Sequence, residues 1–421
     1  MKADRFGNRI DESVGYARGK ILASSADEIR RLRNAQSIAA DVVSERGPQG
    51  IGIFTGNPRH FPLTPSDLES YCEEWVGPGL FADELSQVAI GHLGGNSDHA
   101  TAVFNRTSAA IISAVLALSD GRPVVSYIPA GDRSHASVVR GCTLAGVALK
   151  EVEAIDALEN ALFQEKPALV VVTTVTSSLA RLEDGDSRTA IEMAQHSGAI
   201  VFLDEAYGAR LRPVLHGGEK SLHLGADLAV TNADKAGLSG PRAGVLVGRQ
   251  DAVVSVQAKA SELGQEARAP IAAGALRSLQ RFDPEHLRQE ARDGAIIADA
   301  LEERFGHAIV RRSDLGPAIG EEDVLSDMLG RRDVAKTGIV PAEASAAVGM
   351  LLLRDLGVLT VSTHGAPGGR VSLRLKPTHG ALDAIGGVAA LASGLDRAFE
   401  QVSEKLDDPA WFSVLLFGGD A

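Results

Sequence analysis

A chain of 421 residues can bury a large core in two domains, and its net charge of −13 disfavours nucleic-acid binding, which requires a basic surface. Its two cysteines, Cys72 and Cys142, form neither a CxxC pair nor a zinc-binding spacing, which favours reduced thiols. The N-terminal sequence lacks the apolar core of a signal peptide and no apolar run reaches membrane-spanning length, so a soluble, cytoplasmic protein is expected.

The first part of the chain carries helix signals. A serine followed by an acidic first turn predicts a helix that begins at Ser24 or Ser25 and ends at Gly47. A second helix is predicted to begin after a cap at Thr64 and to end at Gly77. Residues 1–95 are therefore predicted to form an N-terminal helical arm.

From about residue 100 onward, short apolar runs alternate with amphipathic stretches of helical length. The runs are TAVFN, PVVSYIP, GVALKEV, PALVVVTTV, AIVFLDE, ADLAVTN and AGVLVG. Such runs, separated by helices, are typical of a mostly parallel sheet with helices on both faces. The last run follows its predecessor after a loop alone, which favours an antiparallel last strand. Residues 96–265 are therefore predicted to form a large α/β domain.

The remaining segment mixes helices with short strands. APIAAGALRSLQRF, the stretch 284–305 and PAEASAAVGMLLLRDLG predict helices, and a strand is predicted near 308–311. GGRVSLRLKPTHG predicts another strand. Residues 266–421 are therefore predicted to form a smaller C-terminal α+β domain.

Polar residues are predicted to meet at one edge of the large domain's sheet. Asp204 directly follows one apolar strand, and Lys235 follows the next strand, 31 positions later. In NRTSAAIISAVLAL, Arg106, Thr107 and Ser108 lie between a strand and the start of a helix. The carboxyl ends of parallel strands share one edge, where ligands bind, and a helix N-terminus attracts a phosphate group.

An amine, a carboxylate and a phosphate-binding helix end are together what pyridoxal 5'-phosphate requires. The lysine forms a Schiff base, the acid pairs with the pyridine nitrogen, and the helix end holds the phosphate. Each residue also has a simpler interpretation, with Lys235 as a solvated turn lysine, Asp204 as a helix cap and the two hydroxyl residues as ordinary caps. Their combination and order along the chain favour the cofactor site.

LDEAYG, followed about thirty residues later by TNADKAGLSGPRAGVLVG, resembles the fold-type I pyridoxal-phosphate enzymes. With NRTSA, these stretches resemble most the bacterial selenocysteine synthase (seryl-tRNA selenium transferase) group and its archaeal relatives, over roughly residues 90–400. The resemblance implies an α/β fold-type I transferase architecture, a Schiff base at Lys235 and a pyridinium contact from Asp204. It also implies a homodimer or a larger even assembly.

The same resemblance implies two further site residues. SHASVVRG occupies the place of the residue that stacks on the cofactor ring, which implies His135; a helix-starting histidine without a ligand is the alternative. VSLRL resembles the strand whose arginine binds the substrate carboxylate, which implies Arg374. Arg370 and Lys376 compete with it, because strand alternation puts all three on one face.

Two loops supply the remaining candidates. Arg59 and His60, in GNPRHF, either reach a cleft and bind substrate or lie in an exposed loop. Asn232 and Asp234 either contact the cofactor phosphate or order the turn before Lys235.

The predicted function is a pyridoxal-phosphate enzyme that acts at Cα or Cβ of a small amino-acid-type substrate. The resemblance favours elimination or replacement, whereas aminotransfer, aldol cleavage and decarboxylation use the same residues. A dioxygen-using oxidative decarboxylase and a tRNA-dependent selenium transferase are alternatives. The tRNA alternative requires clustered basic residues, which this acidic sequence lacks, so no nucleic-acid partner is expected. For want of a membrane-spanning run and of a zinc-binding spacing, no membrane or metal partner is expected either.

Overall fold

A computed structural model describes residues 2–365, 367–369 and 371–419. The chain divides into two compact units, one formed by residues 57–288 and the other by residues 1–56 together with 289–421. The predicted segments 1–95, 96–265 and 266–421 have different bounds. The difference arises because the first helix packs on helices near the C-terminus, whereas residues 77–93 pack on the large sheet.

The strands are short in one unit and longer in the other. In chain order they are β1 (Ile10–Asp11), β2 (Tyr16–Ala17), β3 (Gly52–Ile53), β4 (His99–Phe104), β5 (Val124–Tyr127), β6 (Leu149–Val152), β7 (Leu169–Thr173), β8 (Ile200–Asp204), β9 (Leu228–Asn232), β10 (Gly244–Arg249), β11 (Val310–Arg311), β12 (Ala318–Ile319), β13 (Val358–Leu359) and β14 (Leu373–Arg374). The strands of four to six residues all belong to the unit 57–288.

Helices make up most of the remaining ordered chain. They are α1 (Ser25–Arg46), α2 (Pro65–Ser70), α3 (Gly77–Leu93), α4 (Thr107–Leu118), α5 (Ala136–Ala145), α6 (Ile155–Glu165), α7 (Asp184–His196), α8 (Gly208–Leu215), α9 (Gln250–Glu262), α10 (Ala269–Gln280), α11 (Pro284–Phe305), α12 (Glu321–Arg332), α13 (Pro341–Leu356), α14 (Val361–His364), α15 (Ala381–Ala384), α16 (Val388–Ser403) and α17 (Pro409–Phe417). Among the described residues, no helix combines the length and the apolar character needed to cross a bilayer.

A seven-stranded sheet in the order β4-β10-β9-β8-β7-β5-β6 forms the centre of the unit 57–288. Strands β5 to β9 pair in parallel, and β10 is antiparallel to both of its neighbours. Strands β5, β7 and β9 are buried along their whole length, with one apolar cluster on each face of the sheet. The predicted, mostly parallel sheet with helices on both faces and an antiparallel last strand is confirmed.

The N-terminal helices follow the predicted start signals, but one predicted end is wrong. Helix α1 has the predicted bounds, and Thr64 caps α2 as expected. Helix α2 ends at Ser70, and Gly77 begins α3 instead of ending a helix. Pro78 lies in the first turn of α3, where a missing N–H costs no hydrogen bond, so this Gly-Pro pair starts a helix.

The unit formed by residues 1–56 and 289–421 has a helical core in which α13 packs against α1, α12 and α16. Glu343, in the first turn of α13, is fully buried. Its carboxylate accepts the backbone N–H groups of Ile21, Leu22 and Val340 at 2.8, 2.9 and 3.2 Å. The bonds from Ile21 and Leu22 fasten the N-terminal segment to α13, and the bond from Val340 caps the helix.

Two small sheets complete this unit. Strands β11, β12 and β14 form an antiparallel sheet, and β3 pairs in parallel with β13. The predicted strand near 308–311 corresponds to β11, and GGRVSLRLKPTHG contains β14 with Arg374.

Candidate active site

Lys235 lies in the turn that follows β9, at the carboxyl edge of the parallel strands. The next residue, Ala236, has a φ of 52°, and Gly237 has a φ of 80°. Left-handed backbone is costly for a residue with a side chain, and such residues are concentrated at functional sites. The Lys235 Nζ atom lies 5.1 Å from the ring centroid of Tyr207. The sequence did not single out Tyr207, although it stands three positions after Asp204 in LDEAYG.

Asp204 ends β8 and is 4% exposed, with one oxygen accepting the Ala206 N–H at 3.4 Å. Burial raises the pKa of Asp204 to about 6, and the positive charge of Lys235 opposes part of this rise. Burial also lowers the pKa of Lys235, against the opposing charges of Asp234 and Asp204. The acid and the amine therefore lie close enough to influence each other's charge, as the strand-end prediction required.

The N-terminus of α4 lies against the start of β10. The backbone N–H groups of Thr107 and Ser108 donate no hydrogen bond within the described part of the chain. The Thr107 hydroxyl donates to the Ala243 carbonyl at 3.4 Å. A Cβ at Gly244 would lie 2.7 Å from the Arg106 carbonyl oxygen, so glycine is required for this close approach. Two N–H groups thus remain available for an anion.

Arginine side chains surround this helix end. Burial and the neighbouring charge of Arg59 lower the pKa of Arg106, and the same two causes lower the pKa of Arg242 to about 10. Because these cations repel one another, a phosphate bound here would relieve the repulsion. Arg242 is a second residue that the sequence did not single out, although it stands in GPRAG.

His135 caps the N-terminus of α5. Its Nδ1 atom accepts the Ser137 N–H at 3.2 Å. His135 is exposed in the described part of the chain. Partial desolvation of its ring and repulsion from Lys235 and Arg140 lower the pKa of His135. The ring is therefore neutral at pH 7, and it is close enough to Lys235 for the lysine charge to affect its pKa.

Asn232 is fully buried at the end of β9. Its amide nitrogen donates to the Ala206 carbonyl at 2.6 Å, and its oxygen accepts from Arg210 at 2.9 Å. Arg210 also donates to the Thr231 hydroxyl at 2.9 Å. The Asn232 amide thus links the end of β9 to the β8–α8 loop at Ala206 and to α8 at Arg210, which favours the turn-ordering interpretation over a phosphate contact.

The GNPRHF loop places its two candidates differently. Arg59 has a φ of 57°, and its Nε atom lies 3.3 Å from an Asp234 oxygen, one residue before Lys235. His60 is exposed, and its backbone N–H donates to the Ser239 carbonyl at 2.8 Å. The loop is therefore fixed to the turn that carries the lysine, with the arginine directed to that turn.

Arg374 belongs to the unit formed by residues 1–56 and 289–421, and its contacts are given within that unit. It is 7% exposed, and its Nε atom donates to the Ser372 hydroxyl at 3.1 Å. Its competitor Lys376 is also buried, at 4% exposure, and Arg370 lies outside the described residues. The remaining candidates, from Arg59 to Lys235, are all in the unit 57–288.

The polar groups at the carboxyl edge of the sheet suit pyridoxal phosphate. A lysine, a buried acid and a cationic helix N-terminus lie within one unit. The Thr173 hydroxyl, opposite Asp204 in the β7–β8 pairing, is buried without a hydrogen-bond partner in the described chain. A buried hydroxyl without a partner is rare in native proteins, and a bound ligand would satisfy it. Within the same described ranges, no cluster of histidine, cysteine and acidic side chains could hold a metal ion.

Comparison with known proteins decides the family. A family model for class I and II aminotransferases matches residues 81–371. The chain belongs to this aminotransferase family. A UPF0425 pyridoxal phosphate-dependent protein of Methanothermobacter thermautotrophicus is 35% identical to it, over 84% of this chain and 89% of the relative.

Solved structures of this aminotransferase fold are similar at low sequence identity. An alanine–glyoxylate aminotransferase from Nostoc sp. has a TM-score of 0.55 and 16% identity, covering 82% of this chain and 94% of its own. The ureidoglycine–glyoxylate aminotransferase of Bacillus subtilis has a TM-score of 0.55 and 15% identity, covering 87% and 98%. The predicted fold-type I architecture is confirmed, and the predicted cofactor agrees with the relative's name. The narrower grouping with selenocysteine synthases stays a prediction.

Proposed function

We propose that this aminotransferase-family protein binds pyridoxal 5'-phosphate through Lys235 and catalyses elimination, replacement or a related reaction at Cα or Cβ of a small amino-acid-type substrate. The proposal depends on one observation: Asp204 ends β8 and Lys235 follows β9, which pairs in parallel with β8, so the acid and the amine share the carboxyl edge of the sheet. The cationic N-terminus of α4 in the same unit supports a phosphate position beside them.

Bound pyridoxal phosphate would supply an electron-withdrawing ring that stabilises negative charge on Cα. Asp204 would keep the ring nitrogen protonated, because with a pKa of about 6 its carboxyl group is ionised at neutral pH and can form a charge-assisted hydrogen bond. The Lys235 amine, once the substrate amine has replaced it, would remove the Cα proton and return it. The lowered pKa of Lys235 favours the neutral amine that accepts a proton.

Other residues would orient the cofactor. The Thr107 and Ser108 N–H groups and the Arg106 side chain are assigned to its phosphate. His135 is assigned to the face of its ring, since a neutral imidazole can lie against an aromatic ring without placing a charge there. Tyr207, close to the Lys235 amine, is added as a contact near that nitrogen.

The reaction type is tested by mixing the purified, cofactor-loaded protein with a panel of amino acids. We expect a change in the visible spectrum with a few small amino acids, and elimination products formed equally with and without dioxygen. Dioxygen-dependent release of carbon dioxide would assign the oxidative decarboxylase instead, and amino-group transfer to a keto acid would assign an aminotransferase. No spectral change with any amino acid, together with tight, salt-sensitive tRNA binding, would contradict a small substrate.

Arg374→Lys is expected to raise the substrate KM about tenfold while cofactor loading stays normal, because lysine keeps the charge but loses the two-pronged carboxylate contact. Steady-state kinetics and the visible absorbance of bound cofactor measure the two effects. Arg311→Lys is the matched control, since Arg311 lies on β11, in the same three-stranded sheet, with a side chain that is 73% exposed. An unchanged KM in Arg374→Lys would remove Arg374 from the substrate site.

A further inference from the structure

The turn 205–207 connects β8 to α8 at the carboxyl edge of the sheet. Two of its carbonyl groups accept hydrogen bonds from side chains of β9. The Thr231 hydroxyl donates to the Glu205 carbonyl at 3.0 Å, and the Asn232 amide donates to the Ala206 carbonyl at 2.6 Å. Both donor residues are fully buried. The position of this turn is therefore fixed by β9 and not only by its own backbone.

Arg210, in α8, binds the same groups and is 1% exposed. Its Nη1 atom donates to the Thr231 hydroxyl at 2.9 Å, and its Nη2 atom donates to the Asn232 oxygen at 2.9 Å and to the Ala206 carbonyl at 3.1 Å. A guanidinium group is planar and always charged, so its hydrogen bonds are strong and hold their acceptors at fixed angles. Arg210 therefore joins the end of β9 to the turn 205–207 through one rigid group.

A histidine from another helix completes this arrangement. The His92 Nε2 atom lies 3.3 Å from the Arg210 Nη1 atom, and the His92 ring meets the Phe282 ring edge-on at a centroid distance of 5.2 Å. Desolvation of the ring and the charge of Arg210 lower the pKa of His92 to about 3. The ring is therefore neutral at pH 7, so its Nε2 atom can accept the arginine N–H. The guanidinium group is thus held from α3 as well as from β9.

The groups assigned to the cofactor lie next to these contacts. Asp204 precedes the turn 205–207 and Tyr207 ends it, whereas Lys235 follows the end of β9 after two residues. The ring nitrogen and the aldehyde group of pyridoxal lie on opposite sides of the ring, so the acid and the amine must be separated by the length of that ring. A displacement of about 1 Å at such a site can reduce a rate about a hundredfold. A residue that fixes the end of β8 against the end of β9 therefore controls this match.

We propose that Arg210 is a positioning residue, which sets the separation between Asp204 and Lys235 to match the length of the cofactor ring. This inference rests on the proposed function and deepens it, because it assigns the alignment of the site to a residue bonded to protein groups. Arg212, two positions later, differs from Arg210 because it pairs with the buried Glu205 carboxylate at 3.1 Å. Arg212 balances a buried charge, whereas Arg210 orients neutral groups of the strand and the turn.

The test compares Arg210→Lys and Arg210→Met in the cofactor-loaded protein. Both variants should lose about a hundredfold in kcat while the substrate KM changes less than about threefold, because lysine keeps the charge but not the planar group. Visible circular dichroism of the bound cofactor, which reports ring orientation and requires no turnover, should change in both. Arg277→Met is the control, since Arg277 pairs with the buried Asp67 in the same unit. It should lower the Tm but keep the parent's kcat and dichroism.

Thr231→Val is a milder variant, because valine keeps the shape of the side chain and suits a strand. It removes one hydrogen-bond acceptor of Arg210, so kcat should fall about tenfold and the dichroism should change in the same sense. Thr101→Val is its matched control. Thr101 lies on β4 of the same sheet, and its buried hydroxyl forms no hydrogen bond in the described part of the chain.

A second measurement uses the cofactor-free protein. Hydrogen–deuterium exchange of peptides covering 204–208 and 231–236 should accelerate at least about fivefold in Arg210→Met and keep the parent rate in Arg277→Met. Unchanged exchange in these peptides would contradict the inference.

The inference is also wrong if Arg210→Lys restores kcat and dichroism, since a charge alone would then suffice, or if Thr231→Val matches Thr101→Val. Borohydride reduction that locates the cofactor of the parent on a lysine other than Lys235 would instead overturn the proposed function, so the two failures are distinguishable.

Discussion

Lys235→Ala is expected to abolish covalent attachment of pyridoxal phosphate and to reduce turnover by at least about a thousandfold. The loss has two causes, because the amine is both the point of attachment and the group assigned to move the Cα proton. Borohydride reduction of the parent followed by peptide mass spectrometry should locate the cofactor on Lys235, and the same treatment of the variant should find none.

Lys259→Ala is the matched control for this change. Lys259 lies on α9, in the same unit, and forms a surface ion pair with Glu262. The control should keep the parent's yellow colour and turnover. A reduced adduct on any other lysine of the parent protein would show that the turn after β9 is not the attachment site.

Asp204→Asn is expected to lose at least about a hundredfold in turnover while retaining bound cofactor, because the neutral amide cannot hold a proton on the ring nitrogen. Steady-state kcat and the absorbance of bound cofactor measure the two effects. Asp251→Asn, which removes an exposed acid, should behave like the parent. If Asp204→Asn turns over at the parent rate, Asp204 only caps the chain after β8.

The same substitution should stabilise the cofactor-free protein. The Asp204 carboxyl group has its ordinary pKa of 3.8 in the unfolded chain and about 6 in the fold, so ionisation favours unfolding as the pH rises through this window. Asparagine stays neutral and avoids this cost. The free energy of unfolding, from denaturant titration, should therefore rise by about 3 kcal/mol at pH 8 and change by less than about 1 kcal/mol at pH 4.

The sheet and the two central site residues could be predicted because local sequence determines them. Runs such as LVVVT have no polar face and can only be buried strands, and Asp204 and Lys235 end adjacent strands of this kind. The antiparallel direction of β10 followed from a connection too short for a crossover helix.

Other features depended on contacts between distant parts of the chain. The division into units could not be read from the sequence, because α1 packs on helices that lie more than 280 positions later. Two contacts depend on the backbone conformation of loops, which residue type alone does not determine. They are the hydrogen bond from Arg210 to Asn232 and the ion pair of Arg59 with Asp234. The start of α3 at Gly77 was missed because a Gly-Pro pair both ends and begins helices.

The divided unit has a consequence for synthesis on the ribosome. The stretch 57–288 is continuous and contains all seven strands of its sheet, so it can fold as soon as it emerges. Residues 1–56 emerge first, yet Ile21 and Leu22 bind Glu343, and β3 pairs with Val358–Leu359. We expect residues 1–56 to dock only after residues 343–359 have been synthesised, so this unit completes its fold after the unit 57–288.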